Sequence, residues 1–228
     1  MDYSCQDIAQ MIDHSLLRPE LTEEDIVRGC EIAKKYNVAT ICCSPSSVTM
    51  VKRLLDGADV KLITVVGFPN GYSKTETKVF EAERAIEDGA VELDMVIPIG
   101  KLLSRDFDYV KNDIKAVVDV AHRHNVLVKV ILENYYLTDE IKEIGCKLAE
   151  EAGADFVKTS TGFAAGGATI EDLKLMRKSV SDKVQVKAAG GVRTLDMALK
   201  VREAGATRFG ATRTADIVEE CYRKRGRE

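Results

Sequence analysis

Lysine recurs inside three apolar segments whose composition is typical of β-strands. "VLVKVIL" contains Lys129, "FVKTSTGF" contains Lys158 and "VQVKAAGG" contains Lys187, so that successive lysines lie 29 residues apart. An ammonium group within a buried strand is costly unless something compensates for its charge. A neutral lysine amine, in contrast, is a nucleophile that forms a Schiff base with a carbonyl compound. These positions therefore indicate covalent chemistry at a lysine, set in a repeated unit of structure.

The repeated unit alternates a strand with a helix. Strands and amphipathic segments follow each other, and Gly89, Gly153 and Gly205 fit the left-handed residue that ends a helix before the next strand. Alternation of this kind favours a parallel sheet with helices outside it, and about eight units in 228 residues match an α/β (β/α)8 TIM barrel. An open doubly wound sheet is the alternative, but its glycine-rich fingerprint after the first strand is absent.

We predict a single (β/α)8-barrel domain over residues 1–228, with a short extra N-terminal helix within the first ten residues. No linker or low-complexity segment divides the chain. The predicted strands are residues 10–14, 38–43, 60–66, 91–97, 126–132, 156–160, 184–189 and 207–210.

Side-chain alternation along the strands predicts which residues point into the barrel. In "VELDMVI", Leu93 and Met95 share an apolar face and Asp94 points the other way. In "VQVKAA", Lys187 likewise opposes Val186. The apolar faces must meet the helices, so Asp94 and the three strand lysines are expected inside the barrel near the carboxyl ends of the strands. Active sites of this fold lie at that end.

Two interpretations of this polar cluster differ in function. It could be a satisfied internal ion network with a structural role alone. A buried cluster with excess positive charge is costly as structure, however, and it is explained if one amine must be neutral. Burial and nearby cations both lower the pKa of a lysine, which favours a Schiff-base nucleophile.

Glycine-containing turns predict a phosphate site at the same end. Gly190 and Gly191 follow the seventh strand and enter a helix, and Gly210 precedes the last helix. Free backbone amides at a helix start bind phosphate, and barrels of this type often hold one there. Tight connections without a ligand are the alternative. With the lysines, these turns indicate a Schiff-base enzyme that acts on a small phosphorylated carbonyl compound.

Composition restricts the other classes of function. A formal net charge of −4 argues against nucleic-acid and anionic-membrane partners, and no apolar run approaches the ~20 residues of a membrane span. The N-terminus lacks the features of a signal peptide, which favours a cytoplasmic protein with reduced thiols. The histidines make a poor metal site, so no metal or other cofactor is expected. They are His14, His122 and His124, and the cysteines are Cys5, Cys30, Cys42, Cys43, Cys146 and Cys221.

A series of motifs resembles the deoxyribose-phosphate aldolase family of class I aldolases over almost the whole chain. In family order they are "IDHSLLRP", "ATICCSP", "VVGFPNG", "ELDMVIPIG", "VKVILE", "FVKTSTGF" and "VKAAGGVRT". The resemblance implies that Lys158 forms the Schiff base. It implies that Lys187 tunes Lys158 and takes part in proton transfer, and that Asp94 is the acid/base carboxylate.

The resemblance also implies secondary roles. Asp13 and Lys129 are similar to a supporting polar network, and Cys42 is similar to a thiol near the substrate. The last strand is followed by "GATR" where the family usually has a pair of serines, so Thr212 offers one hydroxyl. Arg213 either contacts the phosphate or pairs with a surface carboxylate, and Tyr222 receives no role. The implied phosphate contacts are Gly162, Gly190, Gly191, Gly210, Thr212 and Arg213.

The implied reaction is reversible cleavage of 2-deoxy-D-ribose 5-phosphate to acetaldehyde and D-glyceraldehyde 3-phosphate, a step of deoxyribonucleotide catabolism. A class I aldolase of the same plan with another aldehyde or sugar phosphate is the alternative. A metal-dependent aldolase and a non-catalytic sugar-phosphate sensor are weaker rivals. The sensor would be expected to lack Asp94, Lys158 or Lys187, and all three are present. A homodimer or homotetramer is possible.

Overall fold

Eight parallel strands close into a barrel, with β8 pairing back onto β1. The structure is a computed structural model that describes residues 3–225. The predicted TIM barrel is therefore confirmed within these residues, while residues 1–2 and 226–228 of the predicted domain lie outside the described part. The strands are β1 Ile12–Leu16, β2 Thr40–Cys43, β3 Lys61–Val66, β4 Glu92–Val96, β5 Leu127–Ile131, β6 Phe156–Lys158, β7 Gln185–Ala188 and β8 Arg208–Ala211.

Ten α-helices accompany the strands in the described chain, and short 3-10 turns lie at Pro45–Ser47 and Asn134–Tyr136. The predicted N-terminal helix is present and begins with a capping box between Ser4 and Asp7. The helices are α1 Cys5–Ala9, α2 Glu23–Lys35, α3 Val48–Leu54, α4 Thr75–Glu87, α5 Ile99–Leu103, α6 Phe107–Arg123, α7 Asp139–Glu151, α8 Ile170–Ser179, α9 Leu195–Glu203 and α10 Thr214–Arg225.

The first strand begins later than predicted. Gln10 was placed in the strand by sequence, but it is the C-cap of α1 and its backbone N–H bonds to Gln6. The strand is consequently displaced by two residues towards the C-terminus, over Ile12–Leu16. Asp13 is thus the second residue of β1, and the face that it occupies is unchanged.

The predicted alternation on the strands is confirmed. Leu93 and Met95 of β4 belong to the apolar core, and Asp94 between them is fully buried on the opposite face. Register then aligns the polar positions of neighbouring strands: Asp94 pairs with Lys129, and Lys158 pairs with Lys187. Parallel pairing thus brings side chains that are far apart in sequence onto one level of the barrel.

The helix ends follow the predicted signals. Gly89, Gly153 and Gly205 have φ values of +112, +88 and +100°, the left-handed region in which a side chain is strained. Thr169 caps α8 by accepting from the backbone N–H of Asp172 at 3.1 Å. Between residues 3 and 225 no helix is both long and apolar enough to cross a membrane.

A disulfide corrects the prediction that all six cysteines are reduced. Cys5 of α1 is bonded to Cys221 of α10, 216 residues away, because these two helices pack against each other. Linear spacing gave no signal of the pair, since only the closure of the barrel brings both ends of the chain together. Cys30, Cys42, Cys43 and Cys146 are free and buried, as reduced thiols.

The disulfide predicts a redox-dependent stability. A cross-link over a separation of 216 residues removes much of the entropy of the unfolded chain, worth as much as about 5 kcal/mol in the chain-entropy model. We expect reductant to lower the melting temperature of the oxidised protein by about 10 °C or more, as measured by calorimetry. The Cys5→Ser and Cys221→Ser variants should melt at the reduced temperature with or without reductant. Equal melting temperatures for oxidised and reduced wild type would contradict the expectation.

Candidate active site

Three of the predicted side chains meet inside the barrel. The Nζ of Lys158 donates a hydrogen bond to Oδ2 of Asp94 at 2.7 Å, and the Nζ of Lys187 donates to the same oxygen at 2.6 Å. All three side chains are buried. The strand alternation that pointed them inward has therefore placed two amines on one carboxylate oxygen.

The predicted supporting residues complete this cluster. Lys129 lies 3.3 Å from Oδ1 of Asp94, the oxygen that faces away from the other two lysines. Asp13 forms an ion pair with Lys187 and accepts a hydrogen bond from the hydroxyl of Thr40 at 2.7 Å. The structure thus brings Lys129 into contact with Asp94 and Asp13 into contact with Lys187, while their contribution to catalysis stays a prediction.

The two central lysines differ in their electrostatic environment. Burial lowers the pKa of Lys158; Asp94 opposes this effect, and the ammonium of Lys187 adds to it. Burial also disfavours the charge of Lys187, but Asp13 and Asp94 outweigh it and raise the pKa of that lysine. Of the two amines, Lys158 is therefore the one that loses its proton more readily, and Lys187 is the one that keeps it.

Asp94 stays ionised between these lysines. Burial alone would raise its pKa, but Lys158, Lys187 and Lys129 together hold the pKa well below its usual range. An amine with a lowered pKa and a second amine that keeps its proton thus both lie within hydrogen-bonding distance of one carboxylate oxygen. These are the groups needed for attack on a carbonyl carbon followed by proton transfer.

Cys42 lies beside the lysines but is not activated. It lies on β2 and lines the same cleft as Lys158 and Lys187. Burial raises the pKa of its thiol to about 12, so the thiol is protonated at neutral pH. The predicted thiol near the site is present, and its chemistry is that of a small neutral side chain.

Five of the predicted phosphate-binding residues line the mouth of this cleft. Three lie in the turns after β6 and β7, one lies near the end of β8 and one directly follows β8, as expected at the carboxyl end of the barrel. A side chain on Gly190 would approach the Cα of Gly167 to 2.8 Å, so glycine is what lets these two turns meet. The five residues are Gly162, Gly190, Gly191, Gly210 and Thr212.

Arg213, the sixth, lies outside the cleft lining. Its side chain is 65% exposed and pairs with Asp216 at 3.2 Å in the first turn of α10. Of the two alternatives left open by the sequence, the structure contains the surface ion pair. Arg18 and Arg193 line the cleft instead. The sequence carried a signal for Arg193, because this residue follows the glycine pair in "GGVRT".

Glu133 is a second residue that the sequence analysis missed. It lies two residues after the end of β5 with a φ of +56°, and its buried carboxylate accepts from the backbone N–H of Thr161 at 3.2 Å and from the hydroxyl of Thr161. This bond fixes the turn that carries Gly162. A carboxylate directly after the apolar run "VKVIL" was the available signal.

The histidines are engaged elsewhere. Nδ1 of His14 lies 2.8 Å from the hydroxyl of Thr214, and Nε2 of His122 lies 3.0 Å from Asp155. Over the part of the chain that the structure describes, no three His, Cys, Asp or Glu side chains are grouped as ligands for a metal ion.

Comparison with known proteins gives a consistent family. The family described as DeoC/LacD family aldolase matches residues 8–216. A deoxyribose-phosphate aldolase of Thermococcus kodakarensis is 54% identical over 94% of this chain and 96% of its own length. One from Caldanaerobacter subterraneus subsp. tengcongensis is 50% identical over 98% of this chain and 96% of its own.

A solved structure shares the fold. The tetrameric deoxyribose phosphate aldolase of Aeropyrum pernix superposes with a TM-score of 0.89 at 32% identity. The match covers 97% of this chain and 93% of that chain. The similarity therefore extends over the whole barrel, including the strands that hold the lysine cluster.

The neutral thiol of Cys42 leads to a prediction. Because this thiol carries neither charge nor nucleophilic character at neutral pH, Cys42→Ala should lower kcat by less than about tenfold. Asp94→Asn, the matched change at the central carboxylate, should lower kcat by roughly 100-fold or more. Steady-state assays of aldol cleavage measure both. A loss in Cys42→Ala as large as that in Asp94→Asn would contradict this assignment.

Proposed function

The chain belongs to the DeoC/LacD aldolase family, and we propose that it cleaves 2-deoxy-D-ribose 5-phosphate through a Schiff base on Lys158. The products are acetaldehyde and D-glyceraldehyde 3-phosphate, and the reaction is reversible. Relatives of 50–55% identity over nearly their full length support the activity. The observation that carries the Schiff-base route is that buried Lys158 shares Oδ2 of Asp94 with the ammonium of Lys187.

Carbinolamine formation begins the reaction. The neutral amine of Lys158 adds to C1 of the open-chain aldehyde, and Lys187 or Asp94 carries protons to and from the oxygen. Loss of water leaves an iminium that is bonded to Nζ of Lys158. Since Lys187 stays protonated, a proton donor stays beside this centre throughout the step.

Cleavage follows from the electron demand of the iminium. A proton leaves the C3 hydroxyl through a water held by Asp94 and Lys187, and the C2–C3 bond breaks. The bonding pair moves towards the iminium nitrogen and gives an enamine, while C3 leaves as the aldehyde of glyceraldehyde 3-phosphate. Protonation of the enamine at C2 and hydrolysis then release acetaldehyde and restore Lys158.

The phosphate is bound at the mouth of the cleft in this proposal. The backbone amides of the glycine turns and the start of α10 favour an anion, and the guanidinium of Arg193 adds a positive charge. Phosphate contact by Arg213 would require it to leave Asp216. The anchor lies on the β7–β8 side, so that C1 of the sugar can reach Lys158.

The remaining parts of the proposal concern context. No metal or organic cofactor takes part, because the iminium itself accepts the electrons. Residues 1–228 form one domain, which works as a homodimer or homotetramer in the cytoplasm; the tetrameric Aeropyrum pernix relative supports self-association. The Cys5–Cys221 disulfide departs from the reduced state that is usual for cytosolic thiols. A different aldehyde pair on the same scaffold is the second candidate.

Borohydride trapping tests the central step. Reduction in the presence of acetaldehyde or deoxyribose 5-phosphate should add a stable mass to Lys158, as located by peptide mass mapping. Lys158→Leu should trap nothing at this site. Lys187→Leu should still trap at Lys158, but more slowly, because loss of the neighbouring charge raises the Lys158 pKa. An adduct on Lys187 or Lys129 with none on Lys158 would overturn the assignment.

The two arginines near the phosphate turns are distinguished by kinetics. Arg193→Ala should raise KM for deoxyribose 5-phosphate by roughly tenfold or more, given ~1.5–3 kcal/mol for a hydrogen bond to a charged group. It should leave turnover of unphosphorylated deoxyribose almost unchanged. Arg213→Ala is the matched control and should change neither KM nor turnover for either substrate, because the partner of Arg213 is Asp216. A rise in KM for the phosphorylated substrate in Arg213→Ala but not in Arg193→Ala would show that Arg213, and not Arg193, binds the phosphate.

A further inference from the structure

The charged side chains inside the barrel form a closed ring in which positive and negative groups alternate. Strands β1, β4, β5, β7 and β8 contribute its members, and the ring passes through both carboxylate oxygens of Asp94. In order around the ring, the residues are Arg208, Asp13, Lys187, Asp94, Lys129 and Glu92, with Glu92 contacting Arg208 again.

One half of the ring runs from Arg208 through Asp13. The Nη2 of Arg208 lies 2.6 Å from Oδ1 of Asp13, and its Nε donates to the same oxygen at 2.8 Å. The second oxygen of Asp13 pairs with Lys187, which reaches Asp94 at 2.6 Å. Asp13 is thereby held between a guanidinium and an ammonium.

The other half runs from Arg208 through Glu92. The Nη2 of Arg208 lies 3.4 Å from Oε2 of Glu92, and this same oxygen pairs with Lys129. Lys129 reaches Oδ1 of Asp94 at 3.3 Å. Glu92 is the inward-facing neighbour of Asp94 on β4, two residues before it, and is fully enclosed.

The charges of the ring cancel. Three cations and three carboxylates give zero, and every member touches two groups of opposite sign. Lys158 lies outside the ring and shares Oδ2 of Asp94 with Lys187. Within the described cluster its ammonium is therefore the one charge in excess, and an excess buried charge is disfavoured.

We propose that Arg208 and Glu92 are positioning residues for the reaction, because they close the ring and so leave Lys158 as the surplus cation that gives up its proton. Neither residue needs to touch the substrate for this role. Arg208 forms an ion pair with Asp13, and Glu92 forms an ion pair with Lys129. The always-charged guanidinium fixes the balance at any pH at which the enzyme works.

Two further titratable groups act on Lys158 from outside the ring. Cys42 faces it from β2, and burial raises the pKa of that thiol to about 12, so the thiol is neutral. Glu133 follows β5; burial raises its pKa, and its carboxylate is hydrogen-bonded to Thr161. The remaining charges that act on Lys158 are those of Asp94 and Lys187.

Charge-changing variants test the ring. In Arg208→Gln the ring gains a net negative charge, so the ammonium of Lys158 is stabilised and its pKa rises. In Glu92→Gln the ring gains a positive charge, and the pKa falls. The rate of borohydride trapping with acetaldehyde falls at low pH as Lys158 becomes protonated, and this fall is the acid limb of the pH profile. The acid limb should move up by about one pH unit in Arg208→Gln and down by about one unit in Glu92→Gln.

The double variant and a conservative variant are the matched controls. Arg208→Gln combined with Glu92→Gln restores neutrality and should bring the acid limb back towards that of wild type. Arg208→Lys keeps the charge and should leave the limb in place. A merely structural role would lower the rate at every pH without shifts of opposite sign. Absent shifts, or shifts of the same sign in both single variants, would overturn the inference.

The experiment separates this inference from the function on which it rests. If wild type forms no adduct at Lys158 with acetaldehyde, the proposed function fails. If wild type does form the adduct but the variants show no opposite shifts, the ring inference alone fails. If Arg208→Gln does not fold, Glu92→Gln alone tests the ring. A downward shift of its acid limb that is absent in the double variant or in Arg208→Lys supports the inference. An acid limb at the wild-type pH in Glu92→Gln rejects it.

Discussion

The carboxylate of Asp94 is the group on which the barrel interior depends. It is fully buried, and the Nζ atoms of three lysines lie 2.6, 2.7 and 3.3 Å from its two oxygens. None of these charges would be stable alone in a low-dielectric interior, because each would lose its hydration without compensation. Removing the carboxylate would leave three buried cations together, and loss of one partner of a buried ion pair typically costs 3–5 kcal/mol. Asp94 therefore holds the core together and also sets the electrostatics of the site.

Sharing of the carboxylate, rather than burial of a lysine, distinguishes the active centre. Lys78 of α4 is as deeply buried as the barrel lysines, but it pairs with Asp113 of α6 at 2.7 Å and donates to the carbonyl of Val96. One cation there meets one carboxylate, as in a structural ion pair between helices. Lys158, in contrast, must share its partner with Lys187. Burial lowers the pKa of both Lys78 and Lys158, and the ammonium of Lys187 lowers that of Lys158 further, which is the property that a Schiff-base nucleophile needs.

The barrel separates this chemistry from substrate anchoring. Lysines and carboxylates lie on the strands, where register and packing hold them rigidly, while the glycine turns that form the cleft mouth follow β6 and β7. Rigid strands suit groups that must keep fixed distances during proton transfer, and turns with free backbone amides suit an anion. Glu133 links the two parts. It lies just beyond the end of β5, and its carboxylate accepts hydrogen bonds from Thr161 in the turn that holds Gly162.

The amino-acid sequence by itself determined the fold class, the inward direction of Asp94 and the three lysines, and the glycine turns at the cleft mouth. These features depend on local rules: alternation along a strand, helix-ending glycines and a repeating βα unit. The order of the motifs also indicated the family, because the motifs run through almost the whole chain.

Only the tertiary structure decided which charges touch. The ring needs Arg208 of β8 beside Asp13 of β1, a contact across 195 residues that exists because the barrel closes. The same closure joins Cys5 to Cys221. Arg213 could not be placed from sequence either, because one position after a strand can face the cleft or the solvent, and here the first turn of α10 points it at Asp216. Local patterns fix the direction of a side chain, whereas its partners depend on contacts between strands that are distant in sequence.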